Sequence, residues 1–135
     1  MKLFRIVLSV VLLLAASISF AQTKPGDLVA DIPFAFVVAG HTLPPGHYIV
    51  NNLNNNLGIH DPQNHTVFVP VHSAQRPARE STSKMVFHCY GDTCFLSEAW
   101  VSGSSTGRAL FPSRAEQDLS ASGREREIAV VRMER

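Results

Sequence analysis

Cysteine, tryptophan, tyrosine and charge are all scarce in this chain. Two cysteines in 135 residues rule out a disulfide-dense scaffold and supply at most half of a four-cysteine zinc site. Their positions, Cys89 and Cys94, do not make the C-x-x-C of a thioredoxin-like redox centre. Charged residues form 17% of the sequence and the formal balance is +1, so nothing draws the chain to nucleic acid or to an anionic membrane. The basic residues are scattered, and Arg124 and Arg126 alternate with Glu125 and Glu127. No H-E-x-x-H occurs. The length excludes a TIM barrel or a two-domain dehydrogenase and matches one domain. What the chain does have is apolar material: 45% of its residues are hydrophobic, which sets it apart from disordered sequences.

That material is unevenly placed. Lys2 and Arg5 precede an apolar run over residues 6–16 broken only by Ser9, and Ser19-Phe20-Ala21 puts small residues before a cleavage point. The pattern is that of a secretory signal peptide. Residues 1–21 are expected to be a cleaved leader, with Gln22 as the new N-terminus. An uncleaved anchor competes, but the stretch from Leu3 to Ala21 holds Arg5 and several serines and is marginal for the ~20 apolar residues of a span. No cysteine follows the cut, so no lipid anchor is expected. The mature protein is expected to be secreted or periplasmic, near neutral, and free of the membrane.

Residues 22–30, with Lys24-Pro25-Gly26-Asp27, read as a flexible lead-in, and 31–135 as one β-rich domain. Short apolar, β-branched runs occupy 32–38, 47–51, 57–60, 66–72, 85–90, 94–101 and 127–133. Between them lie turn residues: 39–42, Pro45-Gly46 at the centre of a type II turn, 54–56 and 61–64. Residues 73–83 and 102–107 read as loops. Ser113 and Glu116 have capping-box spacing, which starts a short helix running to about Ser120. The expected fold is all-β: a β-sandwich or partly open barrel of about seven strands with one short C-terminal helix.

The segment around the cysteines permits a register. With Gly91-Asp92 as a two-residue type II′ loop, Tyr90 pairs with Thr93 and Cys89 lies opposite Cys94. The Cα separation of such a pair, ~4.5–5.5 Å, is within reach of a disulfide. In an oxidising compartment a Cys89–Cys94 disulfide is expected; a reduced buried pair, a redox dithiol or two metal ligands are the competing readings. The register also sets Phe87 against Leu96 and Met85 against Glu98, with Val86, His88, Tyr90, Phe95 and Ala99 on the other face. Both faces are apolar, so the hairpin is expected to be covered on both sides, with the helix on one. Glu98 then needs an open strand end or a partner such as Arg108; an acid with a raised pKa is the sharper alternative.

Several segments of this chain have a familiar look: Ile32-Pro33-Phe34-Ala35-Phe36, Thr42-Leu43-Pro44-Pro45-Gly46-His47-Tyr48, and Tyr90-Gly91-Asp92 followed by Phe95-Leu96-Ser97-Glu98-Ala99-Trp100. With Gly107-Arg108-Ala109-Leu110 and residues 113–119, they resemble a group of small exported bacterial proteins of unknown function, over about residues 30–120. The resemblance implies export and a β-rich fold and implies no activity. The two cysteines are not part of the shared pattern. The Leu-Pro-Pro-Gly-x-Tyr segment is also similar to a turn of extracellular β-sandwich modules.

Six histidines are many for this length. His41 and His47 flank the Leu-Pro-Pro-Gly turn, and His60 and His65 flank 61–64 and are expected to face each other across a hairpin. These four are the candidate ligands for zinc, copper or nickel, with Asp61 as an added oxygen donor; solvated or structural histidines are the plainer reading. Gly103-Ser104-Ser105-Thr106-Gly107 matches G-x-S-x-G without the strand–turn–helix context of a nucleophile elbow, so Ser105 is not read as a nucleophile. Asn64-His65-Thr66 is a glycosylation sequon. The expected role is a non-enzymatic envelope or extracellular interaction module that needs no cofactor, with a protein or glycan as partner. A periplasmic metal-binding protein is the first alternative and a small hydrolase the second. Tyr48, Tyr90 and Trp100 are possible contact residues, with core packing as the plainer role.

Overall fold

The computed structural model describes residues 27–53, 55–63, 65–77 and 82–134. The expected leader, residues 22–26 of the lead-in and Asn64 of the sequon lie outside them. Among the described residues the elements are β1 Leu28–Ile32, β2 Phe36–Val38, β3 His41–Leu43, β4 Gly46–Leu53, β5 Asn56–His60, β6 Thr66–Gln75, β7 Lys84–Tyr90, β8 Thr93–Trp100, β9 Thr106–Leu110, α1 Arg114–Ala121 and β10 Glu127–Glu134. No helix among them is long and apolar enough to cross a membrane.

The wall runs β8-β7-β10-β1-β4-β5-β6-β9 with antiparallel neighbours, and β9 pairs back onto β8 through Glu98↔Ala109 and Ala99↔Arg108. That pairing closes eight strands into a barrel, with β2 and β3 added outside the ring. Strand alternation fills the lumen: Ala30, Ile32, Tyr48, Val50, Ile59, Val69, Met85 and Phe87 are buried in one cluster. Phe36 is fully buried and meets Phe87 of β7 and Tyr48 of β4 edge-on, at 5.5 and 5.2 Å between centroids. Those strands are separated in the wall by β10 and β1, so the ring lies across the lumen. Phe34, 5.0 Å from Phe87, backs it. Truncating Phe36 to alanine removes this plug, a change that costs ~3–5 kcal/mol in well-packed cores.

The hairpin at the cysteines forms as the spacing expects. Tyr90↔Thr93, Cys89↔Cys94 and Phe87↔Leu96 pair, Gly91 has φ 62° as the first position of a II′ loop needs, and Cys89 and Cys94 are joined by a disulfide with Cα atoms 4.0 Å apart. Beyond Phe87 the register shifts by a bulge, so Met85 faces Ala99 and Val86 faces Glu98. The expected Met85–Glu98 pair does not form, and Ala99 turns into the lumen. Bulges bend a strand and raise its twist. Here the bend separates two halves of β8: Phe95 pairs with Val37 of β2, while Glu98 and Ala99 pair with β9.

Several other expectations are corrected. The strand expected over 32–38 is two strands broken at Pro33, which has no N–H to give a ladder. β1 starts at Leu28, so 28–30 belong to the barrel, with Leu28 and Ala30 buried in it, and not to the lead-in. The turn over 39–42 shrinks to Ala39-Gly40, whose φ values of 51° and 76° suit a type I′ loop, and His41-Thr42 is strand β3. Pro45-Gly46 is not a type II turn: Gly46 already opens β4 without a positive φ. The Tyr48 hydroxyl reaches back instead and donates to the Pro44 carbonyl. Residues 73–75 prolong β6, and Thr106–Leu110, expected to begin in a loop, is the strand that closes the barrel.

Candidate functional site

The four candidate metal ligands fall into separate local pairs. His41 is exposed at the start of β3. His47 of β4 pairs with Asp31, its cross-strand neighbour on β1. His60 accepts a 2.9 Å bond from Asn51 Nδ2 at Nε2 and donates from Nδ1 to Thr66 Oγ1 at 2.7 Å, so neither ring nitrogen keeps a free lone pair. Gly58 makes room for this arrangement, since a Cβ there would lie 2.3 Å from Asn51 Oδ1. His65 stands opposite Asp61 rather than His60, and is tied to it through Nδ1 at 3.0 Å and the backbone N–H at 2.8 Å. Desolvation pulls the Asp61 carboxyl upward, but the hydrogen bonds and charge of His65 hold it below its usual range. The hairpin register places Thr66 across from His60, which is why the expected His60–His65 pair does not form. Among the described residues no group of three or more His, Cys, Asp or Glu is placed to hold a metal ion.

The G-x-S-x-G match ends in β9 and not in a helix. Backbone groups of this loop serve packing: Ser105 accepts the Arg76 N–H and Ser104 accepts Arg76 Nε. Tyr48, Tyr90 and Trp100 are buried. Among the described residues the exposed aromatics are Phe68 and Phe111, which sequence reading passed over.

Helix α1 starts where Ser113 accepts the Glu116 N–H at 3.2 Å. The Glu116 side chain does not close the reciprocal half of the capping box. It turns onto the barrel wall, buried, with Oε1 3.9 Å from His88 Nδ1. Burial raises the Glu116 pKa against the charge of Arg126. Burial also lowers the His88 pKa, helped by Arg126 and opposed by Glu98. Both shifts run toward the neutral forms. Ser97, Tyr90 and Gln117 share this cleft of about 360 Å³. Among the described residues no hydrogen bond joins Ser97 to His88 or Glu116. Glu98 finds its partner in Trp100, whose Nε1 donates to Oε2 at 2.8 Å, and not in Arg108.

Arg108 is instead at the open end of the barrel. It pairs with Ala99 and Ser73 across β9 and shares the inward face of Leu110. Its Nε donates to Asn52 Oδ1 at 3.2 Å and its Nη1 to Ser73 Oγ at 3.4 Å. Asn52 belongs to β4, separated from β9 in the wall by β6 and β5, so the side chain spans the opening. Beside it lies a cavity of about 330 Å³ whose lining is mixed: Leu28, Val50, Leu57, Ala99, Val101 and Met133 are apolar, and Asn51, Asn52, Ser104 and Thr106 are polar. The sequence signal for this mouth is the i, i+2 pairing of Arg108 with Leu110, which marks a polar residue on a lumen face. No known protein family, curated protein or solved structure matches this chain. Its chemistry is therefore argued from its own geometry.

Proposed function

We propose that this chain is an exported, non-enzymatic interaction module whose receptor end is the Arg108 mouth of the barrel. One observation carries the reading: a cavity with an apolar patch opens beside a guanidinium at the end of a closed barrel. Its volume of about 330 Å³ falls at the low end of the ~300–1,000 Å³ typical of small-molecule sites, and barrels of this strand number hold single small ligands. The leader pattern, the disulfide and the resemblance to small exported bacterial proteins support export. The metal-binding alternative requires His47, His60 and His65 to leave their partners. Among the described residues no serine hydroxyl is hydrogen-bonded to a histidine ring or a carboxylate side chain, which does not favour the hydrolase alternative.

The test is uptake of a neutral fluorescent probe, N-phenyl-1-naphthylamine, by the purified full chain. Val101→Trp fills the mouth from its rim. The expected result is enhanced emission with the parent and its loss in V101W, with circular dichroism unchanged. Equal emission from both chains places the probe elsewhere and refutes the reading. A second surface supports a macromolecular partner for the same module: Phe68, Pro70 and Phe111 are all exposed on the outer wall, and Pro70 stands one step beyond the Val71↔Leu110 pair, beside Phe111. Such apolar groupings mark protein or glycan contacts.

A further inference from the structure

We infer that the mouth selects a short-chain aliphatic carboxylate, with the chain in the lumen and the head group on Arg108. The inference rests on the mouth being the receptor end and adds the ligand class. The charge argument comes first. Arg108 has five N–H donors, and its two bonds go to neutral acceptors, Asn52 Oδ1 and Ser73 Oγ. Among the described residues no carboxylate pairs with it, and no Asp or Glu lines the cavity. Asn52, with Oδ1 committed to Arg108, keeps Nδ2 as a second donor beside the guanidinium. A planar guanidinium fork matches a carboxylate in two parallel hydrogen bonds, and such charge-assisted bonds are roughly twice as strong as neutral ones.

The shape argument comes second. Part of the lining beside Arg108 is aliphatic and sulfur-containing, with Leu28, Val50, Leu57, Ala99 and Met133 each nearly inaccessible to solvent. Asn51, Asn52, Ser104 and Thr106 line the rest of the cavity, and an alkyl chain laid on the apolar residues removes apolar area from water. The opposite end of the lumen is closed by Phe36 and Phe34 against Phe87, so the ligand enters chain first and leaves its head at Arg108. The volume limits the ligand to a short chain, which separates this site from a bilayer or a long lipid.

The experiment displaces N-phenyl-1-naphthylamine from the full chain with decanoate and, in parallel, with decanol, at neutral pH and low salt. Decanoate is expected to displace the probe at about tenfold lower concentration, the scale of one charge-assisted hydrogen-bonded contact. Arg108→Gln is expected to erase that difference, read as the ratio of decanoate to decanol needed for half-displacement. If R108Q does not fold, Asn52→Asp gives the second reading: a carboxylate beside Arg108 neutralises it, and the preference for decanoate is expected to vanish. Equal displacement by acid and alcohol in the parent, or a preference that survives R108Q or N52D, overturns the ligand class while the receptor reading stands. A parent chain that takes up no probe overturns both.

Discussion

The Arg76 guanidinium lies 5.0 Å above the ring of Trp100. From there it donates to three backbone carbonyls: Nε to Ser104, Nη1 to Thr82 and Nη2 to Val101, at 2.9–3.0 Å. Trp100 in turn fits only because residue 107 is glycine, since a Cβ there would sit 2.4 Å from the indole. One side chain thus ties the end of β6 to the segments that precede and follow the β7–β8 hairpin. Arg76→Ala is expected to cost about 2–3 kcal/mol, combining charged hydrogen bonds with a cation–π contact. Arg76→Lys is expected to recover little, because an ammonium lacks the planar fork. Urea unfolding of the three chains checks this, and equal midpoints for parent and R76A would refute it.

The disulfide spans a tight hairpin, with a sequence separation of 5. In the chain-entropy account so short a loop contributes about 2 kcal/mol. The Cys89→Ala, Cys94→Ala double variant is expected to unfold at lower urea by that margin with an unchanged slope. Thiol labelling of the unreduced parent is expected to find no free thiol. Two labelled cysteines per chain contradict the pairing.

Ala39 holds a positive φ of 51° in a two-residue loop with Gly40. An L-residue other than glycine or asparagine is strained there, by roughly 1–2 kcal/mol in the left-handed region. Ala39→Asn creates the Asn-Gly pair that type I′ loops prefer. A gain of about 0.5–1 kcal/mol is expected, visible as a raised thermal midpoint. A lowered midpoint counts against the strain.

Glu116 and His88 give stability opposite pH signs. The Glu116 pKa is raised by burial, so the unfolded chain loses that proton first. Its contribution is full below the unfolded carboxyl pKa and falls as pH rises toward the folded value. The His88 pKa is lowered by burial, so the unfolded chain gains that proton first, and stability falls as pH drops below the ordinary imidazole range. Glu116→Gln is expected to exceed the parent in stability at neutral pH, with the advantage shrinking through the carboxylate range. His88→Gln is expected to gain on the parent as the medium acidifies. Urea midpoints across pH 4–8 measure both, and curves parallel to the parent defeat the assignment.

The hairpin at residues 85–100 was legible because a glycine-led loop and two cysteines fix its register locally. The bulge after Phe87 was not, since a period of two carries no mark of an inserted residue, and Met85 was matched to Glu98 for that reason. β9 was missed because Thr106 and Gly107 look like loop; both are set by contact with the mouth or with Trp100, neither of which is adjacent in sequence. The Ser113 cap was legible, while the turn of Glu116 onto His88 was set by helix docking. Closure of the barrel rests on pairing between β8 and β9, and no single segment announces it.

Ring closure also bears on how the chain behaves in crowded solution. Sheet margins are where unrelated chains add strands and begin to aggregate. Here the outermost strand of the sheet, β3, is three residues long. A margin so brief offers too few unpaired amides to template a growing fibril.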